Sequence, residues 1–100
     1  MTKRHPSHPP VHPGEILAED VYPSLGITKD AFAAALGVSR QTLHQIMTLA
    51  RPVTTDMALR LEAVVGSSAE LWLSMQAEFD LSERRRMFDK KGLKRLRPAA

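Results

Sequence analysis

The chain contains no cysteine, which removes disulfides, thiolate zinc sites and thiol catalysis together and suits a reducing, bacterial-type cytoplasm. Alternating apolar and polar runs are scarce. Ala and Leu abound and the longer apolar patterns recur at helical spacing, so the expected class is all-α with no sheet. No apolar run is long enough to span a bilayer, and the polar start from Met1 to Val11 has no apolar core of a secretion signal. A soluble, non-exported chain with no membrane partner is expected. Acid pairs, nucleophile–base pairs and phosphate-cradling glycine loops are also missing, which argues against an enzyme and against a cofactor.

What is present suffices for one modest core. One hundred residues at 43% apolar content make a single domain by ordinary size priors. The net charge is +3, but its distribution is more informative. Residues 13–81 hold four cations, Lys29, Arg40, Arg51 and Arg60, against nine acids, whereas residues 82–100 hold eight cations against two. Three of the four cations in the acidic part fall from Lys29 to Arg51, marking the face that could approach a polyanion.

The pattern divides the chain into a Pro/His-rich arm (1–12), a compact five-helix domain (13–81) and a basic tail (82–100). Pro6, Pro9 and Pro10 rule out a continuous helix in the arm. Pro13, Glu15, Ile16, Leu17 and Val21 predict a first helix over about 14–24, ended near Pro23 and Gly26. Thr28 caps a second helix with Phe32, Ala33 and Leu36 on one face, and Gly37 stops it. Ser39 caps a third, whose buried stripe is Leu43, Ile46 and Met47. Thr54 or Thr55 caps a fourth with a stripe of Leu59, Leu61, Val64 and Val65, stopped by Gly66. Ser67 and Glu70 have capping-box spacing, placing a fifth helix from there to about Leu81. That helix is broadly apolar. Leu71, Trp72, Met75 and Phe79 form one stripe and Leu73 lies off it, more apolar surface than a thin helical domain needs, so the helix either serves only the chain's own core or, as expected here, also supplies a homodimer seam through these five residues.

The segment TKDAFAAALGVSRQTLHQIM carries the chemistry. Two helices joined by a very short turn need a small residue on the first (Ala33), a glycine at the turn (Gly37), an apolar anchor after it (Val38) and a capping hydroxyl (Ser39). With Leu43 and Ile46 buried behind it, the opposite face of the second helix is free to enter a major groove.

The blocks HPGEIL (His12 to Leu17), LGVSR (Leu36 to Arg40) and TTDMALRLEAVVGSSAELWLSMQAEFDL (Thr54 to Leu81), in that order, resemble the HigA type of antitoxin in the lambda-repressor-like (XRE) helix-turn-helix family. The resemblance implies a dimer that represses its own toxin–antitoxin operon at a palindromic duplex operator and neutralises a RelE/HigB-like mRNA endonuclease toxin. It also implies base-reading roles for Arg40, Gln41 and Gln45, with Thr42 and His44 in second rank. Arg suits guanine O6 and N7, and Gln suits adenine N6 and N7, each pair discriminating by about 1–3 kcal/mol. Thr28, Lys29, Ser39 and Arg51 are suited to phosphate contact. Where the family commonly closes this helix with an Asn-Gly-Lys-like run, the chain has Thr48, Leu49 and Ala50, without the helix-stopping glycine and one phosphate-seeking cation.

Three other readings compete: a stand-alone helix-turn-helix regulator with no toxin, an interaction module whose helix-turn-helix is only structural, and a metal-dependent hydrolase using the arm. His5, His8 and His12 lack a carboxylate or thiolate nearby to complete a rigid cage, so no metal site is expected. The tail either stays solvated or, through Arg84 to Arg97, adds phosphate contacts or docks a partner.

Overall fold

The computed structural model describes residues 9–98, in which five helices and no strand are found. Three contiguous stretches, Pro13–Ile16, the π-helical Leu17–Val21 and Tyr22–Leu25, make helix α1. It does not stop at Pro23. The Tyr22 N–H reaches back five residues to the Leu17 carbonyl, and this wide turn opens the backbone just before the residue that has no N–H to give. Termination falls to Gly26, which holds a φ of 66°.

Helix α2 spans Lys29–Leu36 and α3 spans Arg40–Met47, with three residues between them. Thr28 Oγ1 accepts the Ala31 N–H at 3.1 Å and Ser39 Oγ accepts the Thr42 N–H at 3.0 Å, so both caps form as expected. Helix α4, Thr55–Val65, is capped by Thr54, whose Oγ1 accepts the Met57 N–H at 3.2 Å. Its core-facing residues are Met57, Ala58 and Leu61. The stripe expected from sequence is therefore only partly right. Leu59 and Val64 are exposed, because the phase is set by the Met57, Ala58, Leu61 and Val65 spacing, one step away on the helical wheel.

Helix α5 runs from Ala69 to Met87. Its cap is Ser68, not Ser67: Ser68 Oγ accepts the Leu71 N–H at 3.1 Å, while Glu62 of α4 accepts the Ala69 N–H at 2.9 Å. Burial of Ala69 and Trp72 fixes that phase. The helix also continues six residues past its expected end at Leu81, since nothing between Ser82 and Met87 breaks it and Arg84, Arg85 and Arg86 complement the negative end of its dipole.

Leu17, Phe32, Leu43, Ile46, Leu61 and Trp72 are the large, fully buried side chains at the centre, each contributing about 1.5–3 kcal/mol by leaving water. Trp72 was expected at a homodimer seam. At 1% exposure its ring has no surface to offer a partner, because it lies at the phase of α5 shared with Ala69 and Gln76. Leu73 and Met75 pack partly against this core, Phe79 is half-buried, and Leu71 is exposed.

Candidate nucleic-acid interface

The turn between α2 and α3 is tight because three features converge on it. Gly37 takes a φ of 72°, its N–H and that of Val38 close onto the carbonyls of Ala34 and Ala33, and Ala33 is buried where the helices cross. A fourth feature comes from α4. Arg60 Nη1 donates to the carbonyls of Leu36 at 2.9 Å and Gly37 at 3.3 Å, while its Nε is held by Asp56 Oδ2 at 2.7 Å. The guanidinium thus satisfies the orphan carbonyls at the end of α2. This role was not anticipated from sequence, where Arg60 enters only as one of four cations in residues 13–81.

Helix α3 buries Leu43, Ile46 and Met47 and leaves Arg40, Gln41 and His44 exposed, with Thr42 and Gln45 half-buried. The spacing 40, 41, 44, 45 puts the expected readers, other than Thr42, on one side of the helix. Their present partners are weak or local. Arg40 Nε lies 3.4 Å from Asp30 Oδ1, both side chains exposed, an ion pair worth about 0–1 kcal/mol that a polyanion can displace. Gln45 Oε1 accepts from Arg51 Nε at 3.0 Å. Thr42 Oγ1 accepts from Ser39 Oγ at 2.9 Å, so Thr42 is committed to the cap. Of the other residues expected at phosphate, Thr28 is exposed and serves as a cap, Lys29 is half-buried at the start of α2, and Arg51 is exposed just beyond α3.

The exit from α3 keeps a glycine-type geometry without glycine. Leu49 has a φ of 69°, the Ala50 N–H donates to the Gln45 carbonyl at 2.8 Å, and the Leu49 N–H donates to Ile46 at 3.1 Å. These two bonds make a Schellman closure with leucine in the left-handed position.

The back of α3 and its exit loop are tied from both sides, by His12 and Gln76, neither of which was expected in this role. His12, placed in the arm from sequence, is 4% exposed and forms the N-cap of α1, its Nδ1 accepting the Gly14 N–H at 2.9 Å. Its ring stands edge-on to Phe79 of α5 at 5.2 Å, and it hydrogen-bonds the backbone of Arg51. With Nδ1 accepting, the proton sits on Nε2. Burial pushes the His12 imidazole below its ordinary range, against the opposing pull of Asp80, the Arg51 backbone and Glu15. Gly14 is buried against α3, and Gln76 of α5 is buried with its Oε1 accepting the Val53 N–H at 2.8 Å and its Nε2 donating to Asp80 at 3.0 Å. The signals were there: Pro at the first helical position marks residue 12 as a cap, and Gln76 is a polar residue in register with Ala69 and Trp72.

Among the described residues no cluster of three or more metal-ligating side chains occurs, and no helix is long and apolar enough to cross a membrane. His5 and His8 lie outside the described residues.

Comparison with known proteins agrees with this architecture. The family model for helix-turn-helix matches residues 24–72. Virulence-associated protein I of Dichelobacter nodosus is 42% identical over 73% of this chain and 68% of its own length. Antitoxin HigA-1 of Vibrio cholerae is 34% identical over 87% of this chain and 78% of its own. The solved structure of antitoxin GraA in complex with its operator is 33% identical, covers 96% of this chain and 100% of its own, and superposes with a TM-score of 0.81. Five helices around one core, a clamped helix-turn-helix at their centre and relatives of this closeness lead to one conclusion: the chain belongs to the HigA/XRE-type helix-turn-helix antitoxin family.

Proposed function

We propose that this chain is a DNA-binding antitoxin that reads a palindromic duplex operator as a homodimer, represses its own operon, and neutralises a RelE/HigB-like toxin. Membership in a family of regulators rather than catalysts makes it a non-enzyme. The observation that carries the reading is the row of Arg40, Gln41, His44 and Gln45 on the open side of α3, backed by Leu43 and Ile46 at 0% and 1% exposure. A rigid helix with its polar edge outward has the shape and donor set for a major groove. The relative GraA, solved in complex with its operator, supports operator binding by a chain of this fold. Arg51, Lys29 and the hydroxyls of Thr28 and Ser39 then set register on phosphates.

Dimerisation would use α5 without Trp72: Leu71, Leu73, Met75 and Phe79 supply the seam, spacing two copies of α3 about 34 Å apart on successive grooves. Action would be cytoplasmic, on the nucleoid when operator is bound.

Selection of bound duplexes from a random pool, followed by Arg40→Ala on the recovered site, tests the reading. The expected result is a palindromic consensus, with affinity lost by about 1–3 kcal/mol and preference relaxed at one base position per half-site. An unchanged affinity and consensus in Arg40→Ala would remove α3 as the reading head.

A further inference from the structure

The basic tail has not been used so far, and its placement is specific. Helix α5 is 19 residues long, about 28 Å, and it passes the exit loop of α3 before it ends. Glu83 and Arg84 line a cleft of about 440 Å³ together with Leu49, Ala50, Arg51 and Pro52, the exit loop of α3. The segment after α5 therefore begins four residues beyond Arg84, which shares that cleft with Arg51.

Beyond Leu81 the chain carries eight cations and two acids. Among the described residues only Arg86 of these cations has a carboxylate partner, Glu83 at 3.0 Å. Arg84 and Arg85, and every residue from Lys90 to Arg97, are exposed. The segment after α5 is not shapeless: the Asp89 carboxylate accepts the Lys91 N–H at 2.8 Å, and the Leu93 N–H closes onto the Lys90 carbonyl at 2.9 Å across Gly92, whose φ is 86°. Lys90, Lys91 and Lys94 are all exposed on or next to this turn. So many unpaired like charges on a short segment repel one another and are relieved by a polyanion. The folded part carries nine acids against four cations from 13 to 81, yet among the described residues none of those acids forms an ion pair with a tail cation.

We infer that the segment from Lys90 to Arg97 is a second DNA contact, gripping backbone phosphates adjoining the site read by α3 without reading bases. The inference rests on the proposed DNA-binding reading and adds an electrostatic anchor to it. Eleven residues follow α5 within the described chain, a reach of up to about 36 Å if extended, comparable to one turn of duplex at about 34 Å. Each phosphate neutralised would release condensed counterions and steepen the salt dependence of binding.

The test uses the full chain and a duplex that the wild type recovers from a random pool. Lys90, Lys91, Lys94, Arg95 and Arg97 are exchanged together for Gln in one variant, and exchanged Lys for Arg and Arg for Lys in another. All five are exposed and outside the helices, so unaltered helicity is expected and checked by circular dichroism. Affinity is measured over a salt series. The Gln variant should bind about 10- to 100-fold more weakly near about 0.1 M salt, with the slope of log K against log salt shallower by about 2–4. It should recover the same consensus, and the charge-conserving variant should behave as wild type. Equal affinity and slope for the Gln variant overturn the proposal, and the tail's charge would then belong to an acidic protein partner. A changed consensus also overturns it, since phosphate contacts carry no base information. If the wild type enriches no sequence at all, the DNA-binding reading falls first and this inference falls with it.

Discussion

Gly14 at the start of α1 lies so close to Ile46 at the end of α3 that a β-carbon on Gly14 would overlap the Ile46 carbonyl oxygen. The obstacle is backbone and cannot rotate away. Gly14→Ala is expected to destabilise the fold by about 1–3 kcal/mol, as other overpacked positions do, and to tilt α3 at its exit. Urea unfolding would show the loss, and operator affinity should fall with it. A variant as stable as wild type would mean that the two helices can separate freely.

Acidification should weaken the fold through His12. Burial makes this imidazole harder to protonate in the folded chain than at its ordinary value of 6.5, so the unfolded chain takes up more protons as pH falls. The stability it confers is therefore complete above 6.5 and is lost as pH drops through the folded-state value. Protonating Nδ1 also removes the acceptor for Gly14. The thermal midpoint of wild type is expected to fall from about pH 8 to about pH 5 more steeply than that of His12→Asn, which keeps a capping oxygen and cannot titrate. Parallel profiles would place the titration on another group.

Leucine in a left-handed conformation is uncommon, and Leu49 gains little from it, being 42% exposed. Leu49→Gly should stabilise the protein by about 0.5–1 kcal/mol, the relief of backbone crowding exceeding the added freedom of the unfolded chain. Because both Schellman bonds are kept, the exit from α3 should not move. A loss of stability would show that the leucine side chain makes a contact worth more than its strain.

Gln76→Met keeps the volume and removes the acceptor for the Val53 N–H. A buried backbone donor left without a partner costs about 1–3 kcal/mol. The expected signature is faster amide exchange at Val53 and its neighbours than at residues of α2, read by NMR. Unchanged exchange would show that another acceptor takes over.

Much of this fold was legible. Thr28, Ser39 and Thr54 announce their helices because a side-chain oxygen bonding three residues ahead is a local event, and the α2–α3 turn is spelled by Ala33, Gly37 and Val38. The open side of α3 follows from Leu43 and Ile46 by spacing alone. What was hidden is non-local. His12 reads as part of a proline-rich arm until α5 brings Phe79 against it, and Arg60 reads as a surface cation until α4 crosses the end of α2. The seam on α5 was misjudged at Trp72 for the same reason: where Leu71, Trp72, Leu73 and Met75 spread over more than one face of the helix, composition cannot say which side meets its own core and which is left outside. Leu49 hid in the opposite way, since a left-handed leucine contradicts local preference and is imposed by the closure around it.

The two side chains that pin the loop after α3, His12 and Gln76, lie on opposite sides of it in the sequence. During synthesis, α3 is complete long before Gln76 has left the ribosome. Until the last helix folds back, the loop beyond α3 has only one of its two moorings. A product that stops before α5 would therefore lack the Gln76 tie to Val53 and hold the loop behind the candidate reading helix less firmly.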